Sequence, residues 1–234
     1  MKPKLLLIGL LLGTGVCFAD VSNIHAKSWL VSDTNGNVSI GSNFSEQRSI
    51  ASITKLMTVM AVLDHGQNLG EKLGKFTREQ LIKLALIKSD NKASELLCNS
   101  IPGGRSTCVK YMNDKAKQLG MENTKFVEPT GLSPMNISTA VDLIKLAKEA
   151  GNYKEIIEAS NTESIKLTSN KSTIKIANTN PLIGSGPPLL VSKTGTTNAA
   201  GLCLVMMDTA GKVYVLLGMQ PGRRLLESKE IISL

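Results

Sequence analysis

From Ser52 to Leu63 the chain is apolar on nearly every side, through Ile53, Leu56, Met57, Val59, Met60, Ala61, Val62 and Leu63. A run without a polar stripe predicts a helix buried inside a domain, not an amphipathic one lying on its surface. It stops near Asp64-His65-Gly66, where Gly66 can serve as a C-terminal cap. Upstream, Ser28–Ser32 and Val38–Ile40 flank Asp33-Thr34-Asn35-Gly36-Asn37, and the Asn-Gly pair marks a hairpin. From Thr77 to Gly151 the periodicity is helical. Thr77 and Gln80 form a capping box ahead of Leu81, Leu84, Ala85 and Ile87. A break at Ser89-Asp90-Asn91 precedes helix through Ala93, Leu96 and Leu97, and a further helix runs from about Ser106 to Leu119 and ends at Gly120. Proline and glycine make Val127–Pro134 a loop, after which Ser138 is expected to cap a helix carrying Val141, Leu143, Ile144 and Leu146.

Strand patterns return at Ser164–Thr168 and Thr173–Ala177, with a turn at Asn170-Lys171. Leu189–Lys193, Gly201–Met207 and Lys212–Met219 follow, the last two joined through Asp208–Gly211, and Arg223–Leu234 reads as a final amphipathic helix. Strands, a helical block, strands and a helix predict an α+β fold: an antiparallel sheet built from both chain ends and flanked by helices, with a helical lobe at about 68–160 inserted between. No internal repeat is present.

Residues 1–19 stand apart. Lys2 and Lys4 precede an apolar run from Leu5 to Leu12, small residues follow, and Cys17-Phe18-Ala19 comes before Asp20. That is the pattern of a secretory signal peptide with cleavage after Ala19, leaving residues 20–234 as a single domain. The apolar run is short for a membrane span. The residues before Cys17 lack the leucine and small residue that precede a lipidated cysteine. No second run of spanning length occurs, so no transmembrane anchor is expected in the mature form. An exported, periplasmic protein is expected.

Removing residues 1–19 takes two lysines and no acids, so the formal charge falls from +8 to +6. The lysines are scattered and no aromatic-basic interleaving accompanies them, which argues against nucleic-acid binding. An anionic cell-wall polymer is compatible with such a charge. Three cysteines remain. Cys98 and Cys108 flank a Pro-Gly-Gly turn and, in an exported chain, could be bridged. Cys203 lies in an apolar strand as a buried free thiol. No paired Cys or His spacing supports a metal.

Candidate chemistry starts at Ser52 and Lys55. At a spacing of three they stack on one helix face. Inside a buried helix an ammonium is poorly solvated, which lowers its pKa. A neutral amine can then take the proton of the neighbouring hydroxyl and make it a nucleophile. Ser-x-x-Lys alone is weak. It gains weight from Ser89-Asp90-Asn91 at a helix break and from Lys193-Thr194-Gly195-Thr196 on a strand.

These three motifs, in this order, resemble those of the penicillin-interacting serine enzymes. Longer stretches narrow the match. Arg48–Thr58, Phe126–Ser133, Asn178–Leu182 and Val191–Gly195 resemble exported D-alanyl-D-alanine carboxypeptidases and endopeptidases, over nearly the whole mature chain. The endopeptidase branch is the most similar. The resemblance implies a transpeptidase-like fold, peptidoglycan peptides as substrates, β-lactams as covalent inhibitors, and no cofactor. It also implies roles for individual residues. Ser52 attacks a D-alanyl carbonyl with Lys55 as general base, and Ser89 relays the proton to the leaving amine. Asn91 binds the substrate backbone, and Lys193 places a positive charge near Ser89. The Thr194 and Thr196 hydroxyls take the carboxylate beyond the scissile bond, and Gly195 lets substrate lie close. The N–H groups of Ser52 and Thr196 form the oxyanion hole.

Other readings stay open beside it: a D,D-carboxypeptidase, a class A-like β-lactamase, and a non-catalytic penicilloyl-binding sensor. The β-lactamase reading is disfavoured because Glu128 is not in an E-x-x-L-N pattern, and a loop-stabilising role is expected for it instead. His25 and His65 lie outside the motifs and are expected at turns or the surface.

Overall fold

The computed structural model describes residues 21–169 and 172–234, so the signal segment, Cys17 and the turn at 170–171 lie outside the described residues. The chain runs β1 (Ser28–Ser32), β2 (Val38–Ser42), β3 (Arg48–Ser49), a 3-10 turn at Ala51–Ile53, then α1 (Thr54–Asp64). There follow β4 (Lys72–Leu73), β5 (Phe76–Thr77), α2 (Arg78–Ile87), α3 (Asn91–Asn99), α4 (Gly104–Gln118), β6 (Ile137–Ser138), α5 (Ala140–Ala150) and α6 (Lys154–Asn161). The chain closes with β7 (Ser164–Ser169), β8 (Ser172–Ala177), β9 (Leu189–Thr197), β10 (Gly201–Asp208), β11 (Val213–Met219) and α7 (Arg224–Ile232).

The main sheet has the order β2-β1-β11-β10-β9, and every neighbouring pair is antiparallel. Both chain ends therefore supply it, as the order of patterns predicts. Period-two alternation divides its side chains between two cores. Cys203, Val205, Val213, Val215 and Leu217 pack with α1 and its helical neighbours. Leu204, Met206, Tyr214 and Leu216 pack on the other face with Trp29 and with Ile231 of α7. A strand covered on both faces is buried at every position, and β11 is. β9 ends the sheet, with its outer edge unpaired by any described strand.

α1 is buried from Thr54 to Val62, as its unbroken apolarity requires. Gly66, at a φ of 64°, terminates it with an N–H bond to Leu63 O. The Thr77–Gln80 capping box opens α2 with both reciprocal bonds made. Three local expectations are corrected. Thr139, not Ser138, caps α5 by accepting from Asp142 N at 3.1 Å. Ser138 is drawn into β6 opposite Arg48. α4 starts at Gly104, two residues before Ser106, because Gly103 at a φ of 83° turns the chain into it. α6 went unrecognised because its eight residues span too few turns for a periodic signal.

A cluster of charges ties the far end of α1 to the helices around it. Lys115 of α4 pairs with Asp64 at 2.9 Å and Glu149 at 2.8 Å, and Tyr111 and Tyr153 both donate to Asp64. These contacts hold the Asp64 and Glu149 carboxyls below their usual range and the Lys115 ammonium above its own. The central helix is thereby fixed at the end away from Ser52.

Cys98 of α3 and Cys108 of α4 form a disulfide across a sequence separation of 10, and Cys203 is a buried free thiol. Closing a loop this short removes about 3 kcal/mol of unfolded-state entropy. Cys98→Ala/Cys108→Ala is therefore expected to lower the unfolding free energy by roughly 2–3 kcal/mol in urea titrations. Thiol reductant should bring the wild type to the same midpoint and leave the double variant unmoved.

Candidate active site

Ser52 does not lie in the α-helix its motif suggests. It occupies the 3-10 turn that feeds α1, after Ala51 at a φ of 46°. Side chains three apart nearly eclipse in 3-10 geometry, and Lys55 Nζ stands 2.8 Å from Ser52 Oγ. Positive φ is unusual for alanine. The turn is held there by two glycines. A Cβ on Gly131 would lie 1.9 Å from Ala51 O, and one on Gly195 would lie 3.0 Å from both Ile50 O and Ser52 N. The absent Gly195 side chain thus makes room for the nucleophile's own turn. This is a second demand on the position, beside the close approach of substrate expected from the motif.

Lys55 is wholly buried. Besides Ser52 Oγ, its Nζ meets Asn91 Oδ1 at 2.8 Å and Thr130 O at 2.5 Å. These three acceptors satisfy an ammonium. A neutral amine has only two N–H bonds and one lone pair; it can donate to Asn91 and Thr130, which accept only, and receive from the Ser52 hydroxyl. The same geometry therefore serves the protonated lysine and the base. Burial pulls the Lys55 pKa from 10.5 to about 8, against the opposing pull of Glu128 and Asp90. About a tenth of it is then neutral at pH 7.

The second motif forms the joint between α2 and α3. Ser89 sits at a φ of 61°, and Asp90 caps α3 by accepting from Ala93 N at 2.9 Å, which starts the helix at Asn91 and aims that side chain at Lys55. Strain of this kind persists only where surrounding structure imposes it. Ser89 Oγ accepts from Lys193 Nζ at 2.9 Å. Lys193, on β9, is buried, and burial first, then the charges of Lys55 and Arg224, push its pKa well below the usual lysine value. Two adjoining lysines each favour neutrality in the other.

Thr194 and Thr196 part company. The Thr194 hydroxyl is buried and shares a 2.5 Å hydrogen bond with Thr179. Either hydroxyl can be the donor, and the carboxylate binding expected from the motif needs Thr179 to donate, so that the Thr194 O–H stays free. Thr196 Oγ1 is more exposed and accepts from Arg224 Nη2 at 2.8 Å, while the same Nη2 reaches Gly195 O at 2.7 Å. Arg224 Nε is buried, with no hydrogen-bond partner among the described residues. The fold thus brings Ser52, Lys55, Asn91, Ser89, Lys193, Thr194, Gly195 and Thr196 into one neighbourhood. It adds Arg224, Thr130 and Gly131, to which no role was assigned from sequence. Gly131 lies inside a stretch that was noticed, whereas Arg224 sits in an ordinary amphipathic tail with no local signal.

Glu128 stabilises its loop as expected, accepting from Thr130 N, Gly131 N and Asn136 Nδ2 at 2.7, 2.7 and 2.8 Å. His65 bonds Ala61 O and meets Tyr111 edge-on, and the His25 N–H goes to Glu227; neither ring is bonded to Ser52. Among the described residues no three His, Cys, Asp or Glu side chains converge as metal ligands would. None of the described helices is long and apolar enough to cross a membrane.

Known proteins carry the same architecture. The chain is 42% identical over 212 residues to a D-alanyl-D-alanine endopeptidase of Escherichia coli, covering 80% of this chain and 68% of that one. It is 39% identical over 213 residues to its Pseudomonas aeruginosa namesake, covering 81% and 69%. The structure of penicillin-binding protein D2 from Listeria monocytogenes, with cefotaxime bound, superposes with a TM-score of 0.81 at 26% identity, covering 90% of this chain and 96% of that one. The family model for D-alanyl-D-alanine carboxypeptidases, peptidase family S11, matches residues 16–73 and 67–218. By sequence along most of its length, and by fold, the chain belongs to the S11 family of D-alanyl-D-alanine carboxypeptidases.

Proposed function

We propose that this protein is a serine D,D-peptidase that opens the D-alanyl–diaminopimelate cross-links of peptidoglycan in the periplasm. The observation that carries it is the 2.8 Å bond between Ser52 Oγ and a buried Lys55, in a chain 42% identical to a D-alanyl-D-alanine endopeptidase. Ser52 Oγ attacks the D-alanyl carbonyl while its proton passes to the neutral Lys55. The oxyanion is met by the N–H groups of Ser52 and Thr196, each such donor contributing about 3–4 kcal/mol. The bond to the leaving nitrogen breaks, and that nitrogen takes a proton through Ser89, which Lys193 orients. Water then adds to the ester, Lys55 again receiving a proton, and Ser52 is regenerated. Asn91 holds the donor peptide's backbone.

The residue beyond the scissile bond carries a carboxylate. Arg224 supplies a positive charge for it, Thr196 a hydroxyl, and Lys193 an amine whose charged form the incoming carboxylate favours; Thr194 adds its own hydroxyl when Thr179 is the donor of their shared bond. A guanidinium suits a planar carboxylate. A β-lactam presents a strained amide and a carboxylate to the same groups and acylates Ser52 in the same way.

Digestion of purified cross-linked muropeptide dimers and of pentapeptide monomers, analysed by chromatography, tests the reading. Wild type is expected to convert dimers to monomers, and Ser52→Ala to leave them intact. Free D-alanine from pentapeptides with dimers untouched would make it a carboxypeptidase, the activity that names the family. Rapid penicillin turnover would mark a β-lactamase, and stable acylation without hydrolysis a sensor.

A further inference from the structure

The Glu128 carboxylate that braces this loop is buried, at 8% exposure. It accepts five hydrogen bonds, from Thr130 N, Thr130 Oγ1, Gly131 N, Ser133 N and Asn136 Nδ2. Asn136, itself fully buried, returns a bond to Glu128 O and reaches Thr54 at the start of α1. The loop knotted in this way presents two things to the nucleophile. Thr130 O accepts from Lys55 Nζ at 2.5 Å, and Gly131 lies against the Ala51–Ser52 peptide. One residue separates the carboxylate from the carbonyl that touches the base.

The charged groups facing Lys55 are few. Glu128 comes from this loop, Asp90 from the α2–α3 joint and Lys193 from β9. In the acylation step Lys55 changes from an amine to an ammonium. A fixed carboxylate nearby therefore gains interaction energy as the proton arrives, and only interactions that strengthen in the transition state raise the rate. A buried base with no such partner would be neutral at lower pH but too weak to draw the proton.

We propose that Glu128 is a positioning residue for Lys55: it fixes the Thr130 carbonyl on Nζ, and its charge supports the ammonium formed when Lys55 takes the Ser52 proton. Glu128 itself takes no proton and forms no bond. The proton moves from Ser52 Oγ to Lys55 Nζ as the Oγ–carbonyl bond forms. The proposal rests on Ser52 and Lys55 acting as described under Proposed function. Burial lowers the Lys55 pKa and Glu128 heads the influences that raise it, with Asp90 behind. Removing the Glu128 charge thus shifts Lys55 further down.

The test is the rate of Ser52 acylation by benzylpenicillin between pH 5 and 9, with thermal melting in parallel, for wild type, Glu128→Gln, Glu128→Asp and Ser52→Ala. Glu128→Gln is expected to move the acidic limb of the profile to lower pH by about one unit and to lower the alkaline plateau at least about tenfold. Glu128→Asp keeps the charge but shortens the reach, so its limb stays in place while its plateau falls at least about tenfold. A Glu128→Gln limb at the wild-type position, even with reduced rate and melting temperature, would mean a structural brace only and overturns the proposal. So does a plateau within twofold of wild type. Should Glu128→Gln not fold, Glu128→Asp decides alone, and a wild-type rate in it overturns the positioning role. Acylation surviving in Ser52→Ala, or absent from wild type, would sink the functional reading instead.

Discussion

Lys55→Met is expected to slow benzylpenicillin acylation of Ser52 by about a thousandfold or more while the protein stays folded. The size follows from what is removed: general-base catalysis contributes about 10²–10⁴-fold, and among the described residues no other basic group bonds Ser52 Oγ. The fold survives because two costs oppose each other. At pH 7 the buried ammonium, displaced from 10.5 to about 8, costs folding about 3 kcal/mol. Methionine fills a similar volume without that cost, but leaves Asn91 Oδ1 and Thr130 O without their donor, at roughly 1–3 kcal/mol each. The melting temperature is therefore expected to move by only a few degrees.

The pH dependence has a definite sign. Lys55 titrates lower in the folded chain than in the unfolded one, so the burial penalty is complete below about pH 8 and is relieved as pH rises towards 10.5. Wild-type acylation should climb through about pH 8 as the base loses its proton. Stopped-flow acylation with mass spectrometry of the Ser52 peptide measures both variants. A Lys55→Met rate within tenfold of wild type would remove the lysine from the mechanism.

Gly131→Ala is expected to be the most disruptive methyl addition among the described glycines. Its Cβ would fall 1.9 Å from Ala51 O, 2.3 Å from Ala51 C and 2.7 Å from Ser52 N. All three are backbone atoms of the nucleophile's turn, so no side-chain rotation relieves the overlap. Gly131 also holds a φ of 84°, which alanine resists. A stability loss above about 3 kcal/mol follows. Any folded fraction should acylate at least about a hundredfold more slowly, since a displacement near 1 Å is enough for that. Gly74→Ala is the control. It shares the positive φ, at 73°, but no atom of the described residues lies within 4 Å of its Cβ. It should cost only about 1 kcal/mol and leave acylation untouched. Equal melting shifts in the two variants would show that backbone conformation alone, not the contact with Ala51, sets the effect.

Much of the molecule could be read along the chain because its signals are local. The unbroken apolar face of α1, the Thr77–Gln80 capping box and the Gly66 terminator each depend on residues within a few turns of one another. Elements of two residues gave no such signal. β3 and β6 exist because Arg48 and Ser138, far apart in sequence, meet as a pair. That same pairing draws Ser138 out of the capping position and leaves Thr139 to start α5. Gly195 shows a subtler gap. Its need for no side chain was legible from the motif, but the object it makes way for, the Ala51–Ser52 turn, was not.

Sequence alone determined that a serine and a lysine sit three apart in a buried helical segment, and it supplied the Ser89–Asn91 and Lys193–Thr196 motifs and an antiparallel sheet from both chain ends. Spacing and hydropathy suffice for these because helix and strand periodicity act over a few residues. Only the tertiary structure decided the rest: that Lys55 is gripped by Asn91 and by Thr130 from two separate segments, that Arg224 arrives from the last helix, and that Thr194 is already engaged by Thr179. Those contacts join residues 15 to 75 positions apart. Their energies depend on burial and direction, which exist only once the chain has closed around them.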